Sequence, residues 1–153
     1  IDDDSIYDTK LIENLTNDYY EQRCVIGYRG FTPLFDKIEN FEYSKNDKLQ
    51  NLSLYNFLTG KGGILYKPEF FHKTKGLIFN HEIYLKECQK QDDIWFYIVR
   101  ILNNKDCYIS NKKWDIRDLP NCGLFFNFNR HNNANTISFR RALKRIKELG
   151  YTF

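Results

Sequence analysis

Apolar residues recur at helical spacing in four stretches of the chain, and short apolar runs separate them. The first stretch, "YDTKLIENLTNDYYEQR", carries Leu11, Ile12, Leu15 and Tyr19 on one face, with Asp8 or Thr9 as N-cap. "HEIYLKECQKQ" reads as a weak helix and "DDIWFYIVRILNN" as a stronger one, with Ile94, Ile98, Ile101 and Leu102 on one side and Trp95 and Val99 beside them. The last helix is predicted over residues 136–149, with Phe139, Leu143, Ile146 and Leu149 inward and Gly150 as its stop.

Between these helices "CVIGYRG", "GILY" and "CYIS" read as strands, and the opening residue reads as the end of another. Strand end, helix, strand is the βαβ rhythm of a parallel sheet, so the expected class is α/β. Residues 32–58 show no clean period and are expected to form a long polar excursion. An aromatic, Asn-rich loop is expected through "LFFNFNRHNNAN".

The chain has 153 residues, 42% of them hydrophobic and 28% charged, the balance of one globular unit rather than a disordered segment. It contains no Met, and a first residue already at a strand end points to a piece of a longer protein. The net charge of +3 is too small to imply a nucleic-acid partner, and the basic run "RRALKRIK" reads as a solvated helix face. Cys24, Cys88, Cys107 and Cys122 lie far apart, which disfavours a zinc site and fits reduced thiols in the cytoplasm. No stretch is apolar for long enough to span a membrane.

Against this background, "IDDDSIY" places three adjacent carboxylates whose repulsion calls for solvent or a cation. In extended chain Asp2 and Asp4 project to one side and Asp3 to the other, giving two hard oxygen ligands suited to Mg²⁺ or Mn²⁺. The alternative is an acidic turn capping the next helix. Asp92 and Asp93 open a helix, where the macrodipole favours them as caps, or where one of them accepts a proton as general base. The second role requires burial to offset the helix terminus, which by itself lowers a carboxylate pKa. "TGKGG" lacks the P-loop spacing and is followed by a strand, so it reads as a loop of close backbone approach, with Lys61 either near a phosphate or solvated. His72, His81 and His131 share no metal spacing.

In their order, "IDDDSIY", "GYRG", "TGKGGILYKP" and "QDDIW" resemble the later half of a GT-A-type glycosyltransferase, a nucleotide-sugar-dependent class with a DxD motif. The resemblance covers roughly residues 1–104. It implies part of a GT-A-like mixed sheet flanked by helices, with the nucleotide-binding first half of that fold missing and Lys67 interrupting the Tyr-Pro pair of the glycine-rich stretch. It further implies Asp2 and Asp4 on Mn²⁺ or Mg²⁺, with Asp2 and Asp3 toward the nucleotide and His131 as the candidate third ligand. Gly62 and Gly63 would border donor and acceptor, beside Lys61. Asp93, or as second choice Asp92, would be the base, and Trp95 would pack or flank the acceptor site. The donor would be a UDP-sugar and the acceptor a glycan, protein or lipid.

Two other readings compete with this one. In a haloacid-dehalogenase-like phosphatase the acids would be a DxDx[TV] motif, but Ser5 stands where Thr or Val is usual and "DDIW" is left unexplained. In a non-catalytic interaction domain the aromatic residues, 17% of the chain, would be core and partner surface.

Overall fold

The structure is a computed structural model, and it describes residues 1–2, 4–35, 37–43, 50–112, 115–119 and 133–153. In chain order its strands and helices are β1 (Ser5–Ile6), α1 (Leu11–Gln22), β2 (Val25–Gly27), β3 (Gly30–Phe31), β4 (Leu52–Ser53), β5 (Phe57–Leu58), β6 (Ile64–Leu65), α2 (Lys75–Ile78), α3 (His81–Cys88), α4 (Asp92–Leu102), β7 (Cys107–Ile109), β8 (Arg117–Asp118) and α5 (Ala134–Glu148). Short 3₁₀ turns at Ile38–Asn40, Gly60–Gly62 and Pro68–Thr74 join them.

Side chains alternate across a strand, and β2 uses this to divide the interior in two. Val25 faces a large core built with α4 and α5, while Ile26 faces a smaller one built with Leu11 and Leu15 of α1. Both residues are fully buried. The four-stranded sheet runs β4-β7-β2-β6. β7 lies parallel to β2, pairing Val25 with Cys107 and Gly27 with Ile109, while β6 is antiparallel to β2 and β4 antiparallel to β7. The molecule is therefore mixed α/β, its mixed sheet flanked by helices. No helix of the described residues is long and apolar enough to cross a membrane.

The opening βαβ expectation needs correction. β1 does not join the central sheet; it pairs antiparallel with β8, Ser5 opposite Asp118. The strand has no apolar run to bury, Ile6 being half exposed, and both edges of β2 are already taken by β6 and β7. The parallel pair is instead β2 with β7.

The described residues of the 32–58 stretch are also more ordered than its lack of period implies. Phe41 stacks on Phe139 of α5 with centroids 4.1 Å apart, and Phe57 stacks on Phe31 at 5.2 Å. The burial comes from short turns and two-residue strands, which leave no periodic trace. In α1 the inward residues are Leu11, Leu15 and Asp18, and Ile12 faces solvent. Asp8 accepts the Lys10 N–H at 2.8 Å just before that helix, which itself begins at Leu11. Gly150 follows α5 at φ +88, the left-handed stop its position predicts.

Candidate functional site

The antiparallel pair β3–β5 positions the glycine loop. Its register pairs Gly30 with Leu58 and Phe31 with Phe57, and beyond it the Thr59 N–H donates to the Arg29 carbonyl at 3.0 Å. The chain then tightens into the 3₁₀ turn Gly60–Gly62. A Cβ at Gly62 would stand 2.6 Å from the Arg29 nitrogen, so no larger residue fits against that backbone. Gly63 follows at φ +79.

This turn carries Gly60 to the N-terminus of α4, where its N–H donates to Asp93 Oδ1 at 2.8 Å. A Cβ at Gly60 would lie 2.9 Å from Asp2 Oδ1 and 3.1 Å from Asp93 Oδ1. Three segments spread over about ninety residues of chain therefore meet at one glycine. Gly60→Ala is expected to displace one or both carboxylates and to lower stability by about 1–3 kcal/mol, the range for overpacking a tight site. A thermal melt with unchanged midpoint would show that the loop yields at no cost.

The balance of forces on Asp93 is resolved in favour of basicity. Burial raises its pKa most and the neighbouring Asp92 charge adds to this; the Gly60 N–H opposes them and Asp2 raises it again, for a value of about 7. Asp92 is exposed and acts here mainly as that neighbouring charge. Asp2 and Asp4 are both part-buried and both bear on one group, Tyr7, whose hydroxyl accepts the Asp2 N–H at 2.8 Å. Burial raises the Tyr7 pKa, and the two carboxylates push in the same direction.

The remaining candidates divide. Gly62 and Gly63 lie in the loop as expected. Lys61 pairs with Asp118 of β8, so its charge is met within the protein, through an exposed contact of the kind that yields readily to a ligand. Trp95 requires correction as an acceptor-flanking residue. Its side chain is 1% exposed, packs in the core near Tyr84, and donates its indole N–H to the Ile78 carbonyl at 3.3 Å. The large aromatic is core because it faces inward from α4 beside Ile94 and Ile98. Asp3 and His131 lie outside the described residues.

Sequence reasoning passed over Gly60, Tyr7 and Arg29. Gly60 had a signal, as the first of three glycines in four positions; the others acquire their meaning only from the pairing of β3 with β5 and the return of β1 to β8. Thr59, next to Gly60, holds a buried hydroxyl without a hydrogen-bond partner. Among the described residues no group of three or more His, Cys, Asp or Glu side chains forms a complete metal cage. A cavity of about 790 Å³ lined by Phe35, Tyr55, Tyr151 and Phe153, among others, lies away from Asp2, Asp4, Asp92 and Asp93, none of which lines it.

Comparison with protein-family models, curated proteins and solved structures gives no match for this chain.

Proposed function

We propose that this chain is the later half of a GT-A-like catalytic domain and transfers a sugar from a nucleotide-sugar donor to an acceptor hydroxyl. One observation carries the reading: Asp2, Gly60 and Asp93, from three of the four motifs of the resemblance, meet within about 3 Å of a single point. A capping role alone would require no such meeting of α4 with the opening acids.

Asp93 supports the role of general base. A carboxylate near pKa 7 has enough basicity to draw a hydroxyl proton while about half of it is ionised at neutral pH. The acceptor O–H proton passes to Asp93 as the oxygen bonds to the anomeric carbon, and the bond from that carbon to the diphosphate oxygen breaks, releasing the nucleoside diphosphate. The Gly60 N–H fixes the Asp93 carboxylate, and the bare Cα of Gly60 lets a substrate approach both acids.

The hard oxygens of Asp2 and Asp4 would hold a Mn²⁺ or Mg²⁺ ion at the donor end of the site. Such an ion supplies charge neutralisation to the departing diphosphate. Lys61, once released from Asp118, is close enough in sequence to the glycine turn to serve the same anion.

The test is thermal stability with Mn²⁺, Mg²⁺, UDP and GDP, singly and combined. Mn²⁺ and UDP together are expected to raise the melting temperature by more than the sum of their separate shifts, and Asp2→Asn with Asp4→Asn is expected to abolish that surplus. A shift from neither ligand removes the donor site from consideration. Turnover of a simple phosphate monoester with Mg²⁺ would point to the phosphatase instead.

A further inference from the structure

The cavity at the far end of α4 is built from segments that the transfer reaction leaves unused. Asp93 stands in the first turn of that helix and Leu102 ends it, about 13 Å away along the axis at ~1.5 Å per residue. Ile101 and Leu102 line the cavity, together with Ile38 of the first 3₁₀ turn and Leu54 just after β4. Ile38 and Ile101 are buried members of the large core, so the floor is apolar and fixed. The chain leaves α5 through Gly150 at φ +88, and the Tyr151 N–H donates to the Ile146 carbonyl at 3.3 Å. Tyr151, Thr152 and Phe153 then complete the wall. At about 790 Å³ the space falls within the roughly 300–1,000 Å³ of small-molecule sites.

Its walls combine uncovered ring surface with polar groups of both senses. Phe35 and Tyr55 meet edge to face, centroids 5.2 Å apart at 79°, and a perpendicular contact covers at most one face of one ring. Tyr55 remains 43% exposed and Phe153 44%. The backbone of Tyr55 is pinned on both sides: its N–H donates to the Ser53 hydroxyl at 3.1 Å, and its carbonyl accepts the Tyr97 hydroxyl at 3.0 Å. Glu39 of the 3₁₀ turn and Lys147 of α5 form an ion pair, both side chains close to half exposed, and both line the cavity with Asn104. The carboxylate accepts, the ammonium donates and the carboxamide does both, while the pair itself adds no net charge. Lys37 supplies a further donor.

A purely apolar ligand would desolvate the ion pair without replacing its hydrogen bonds, and an anion would compete with Glu39 for Lys147. A neutral ring with apolar faces and a hydroxylated edge meets both kinds of wall. A pyranose whose hydroxyls are equatorial is such a ring, with C–H groups on both faces. We propose that this cavity is a carbohydrate-binding site for a neutral pyranose of the glucose or N-acetylglucosamine type, stacked on Tyr55 and Phe153 with its hydroxyls on Glu39, Lys147 and Asn104. The site is separate from Asp2, Asp4 and Asp93 and does not rest on the transferase reading.

The experiment titrates the whole chain with cellotriose and chitotriose by calorimetry and saturation-transfer NMR, with indole as an apolar ring and benzoate as an apolar anion for comparison. Wild type is expected to bind one of the two trisaccharides with a Kd on the order of 1 mM or tighter. Raising NaCl from about 0.1 to about 1 M should leave that Kd unchanged, since a neutral ligand is not screened. Tyr55→Ala and Phe153→Ala should each weaken binding roughly threefold to tenfold, the range of one ring contact. Tyr20→Ala, an exposed ring on α1, should not. Phe153 lies outside the core, so Phe153→Ala tests the site even where Tyr55→Ala loses the fold. Absence of binding by both trisaccharides, or tighter binding of indole or benzoate, overturns the proposal. So does trisaccharide binding that survives Phe153→Ala and Tyr55→Ala intact, or that is lost in Asp2→Asn with Asp4→Asn, since the sugar would then sit at the acids. Binding that depends on Phe153 in a chain indifferent to Mn²⁺ and UDP would keep this site and discard the transferase.

Discussion

Asp93→Asn should lower the rate of transfer by on the order of 10²–10⁴-fold, the range for loss of a positioned general base, while leaving the joint response to Mn²⁺ and UDP in place. The amide oxygen of Asn can still accept the Gly60 N–H, so the loop keeps its anchor and the loss falls on proton transfer. In the wild type the base must be ionised, so the rate of the free enzyme should rise with pH through about 7, the value burial and Asp92 give this carboxylate. A cation held at Asp2 and Asp4 would move that inflection downward, since a nearby positive charge favours the ionised form. A flat profile between pH 5 and 8 would remove Asp93 from the role.

The same shift makes an opposite prediction for stability. The folded-state pKa of Asp93 lies above the ordinary value of 3.8, so between about 4 and 7 the folded chain holds more protons than the unfolded chain. Its stability therefore declines as pH rises through that window. Asp93→Asn removes the decline and should melt a few degrees above wild type at pH 8, with little difference at pH 4. Less activity with more stability is the signature of a charge kept in an unfavourable place for function. A variant that melts lower at both pH values would instead mark Asp93 as a structural cap.

How much of this was legible follows from where each signal is written. α4 is readable because Ile94, Ile98 and Ile101 repeat at helical spacing and all three are buried. β2 is readable from its β-branched residues. The pairing of β1 is not, because two residues carry no period and their partner β8 lies more than a hundred residues away. The sequence could pose the alternatives for Asp93, cap or base, but the choice depends on the burial of its carboxylate, which no local pattern records. Trp95 shows the converse limit. An aromatic beside an acidic pair looks like a ligand contact, and only the helical phase of α4 turns it into the core. Asn56, fully buried, is invisible in an aperiodic stretch. Yet its side-chain amide donates to the Cys107 carbonyl at 2.9 Å and its carbonyl oxygen accepts from Thr32 at 2.7 Å.

Arg100 is the residue whose loss should cost the fold most. It is 2% exposed, and among the described residues it pairs with no carboxylate. Its guanidinium donates to the backbone carbonyl of Asn56 at 2.7 Å and to that of Lys105, with Tyr97 beneath it at 5.5 Å. Arg100→Ala would strip both carbonyls of a charged donor and leave a large void, for about 3–5 kcal/mol, a major part of the roughly 5–15 kcal/mol that holds an ordinary domain. Arg100→Met, which refills most of the space, should recover part of the packing but neither hydrogen bond. Urea unfolding of the two variants separates the contributions, and a loss below about 1 kcal/mol in Arg100→Ala would show the carbonyls finding water. The consequence reaches the site because of what Arg100 joins. Asp93 stands at the start of the helix that carries Arg100, and Gly60 stands four residues beyond Asn56, whose carbonyl Arg100 holds just before β5. The guanidinium thus ties α4 to the strand that delivers the glycine turn. Loosening it should weaken the Mn²⁺ and UDP response at temperatures well below the melting point, through slippage of Gly60 away from Asp93 rather than through any contact of its own.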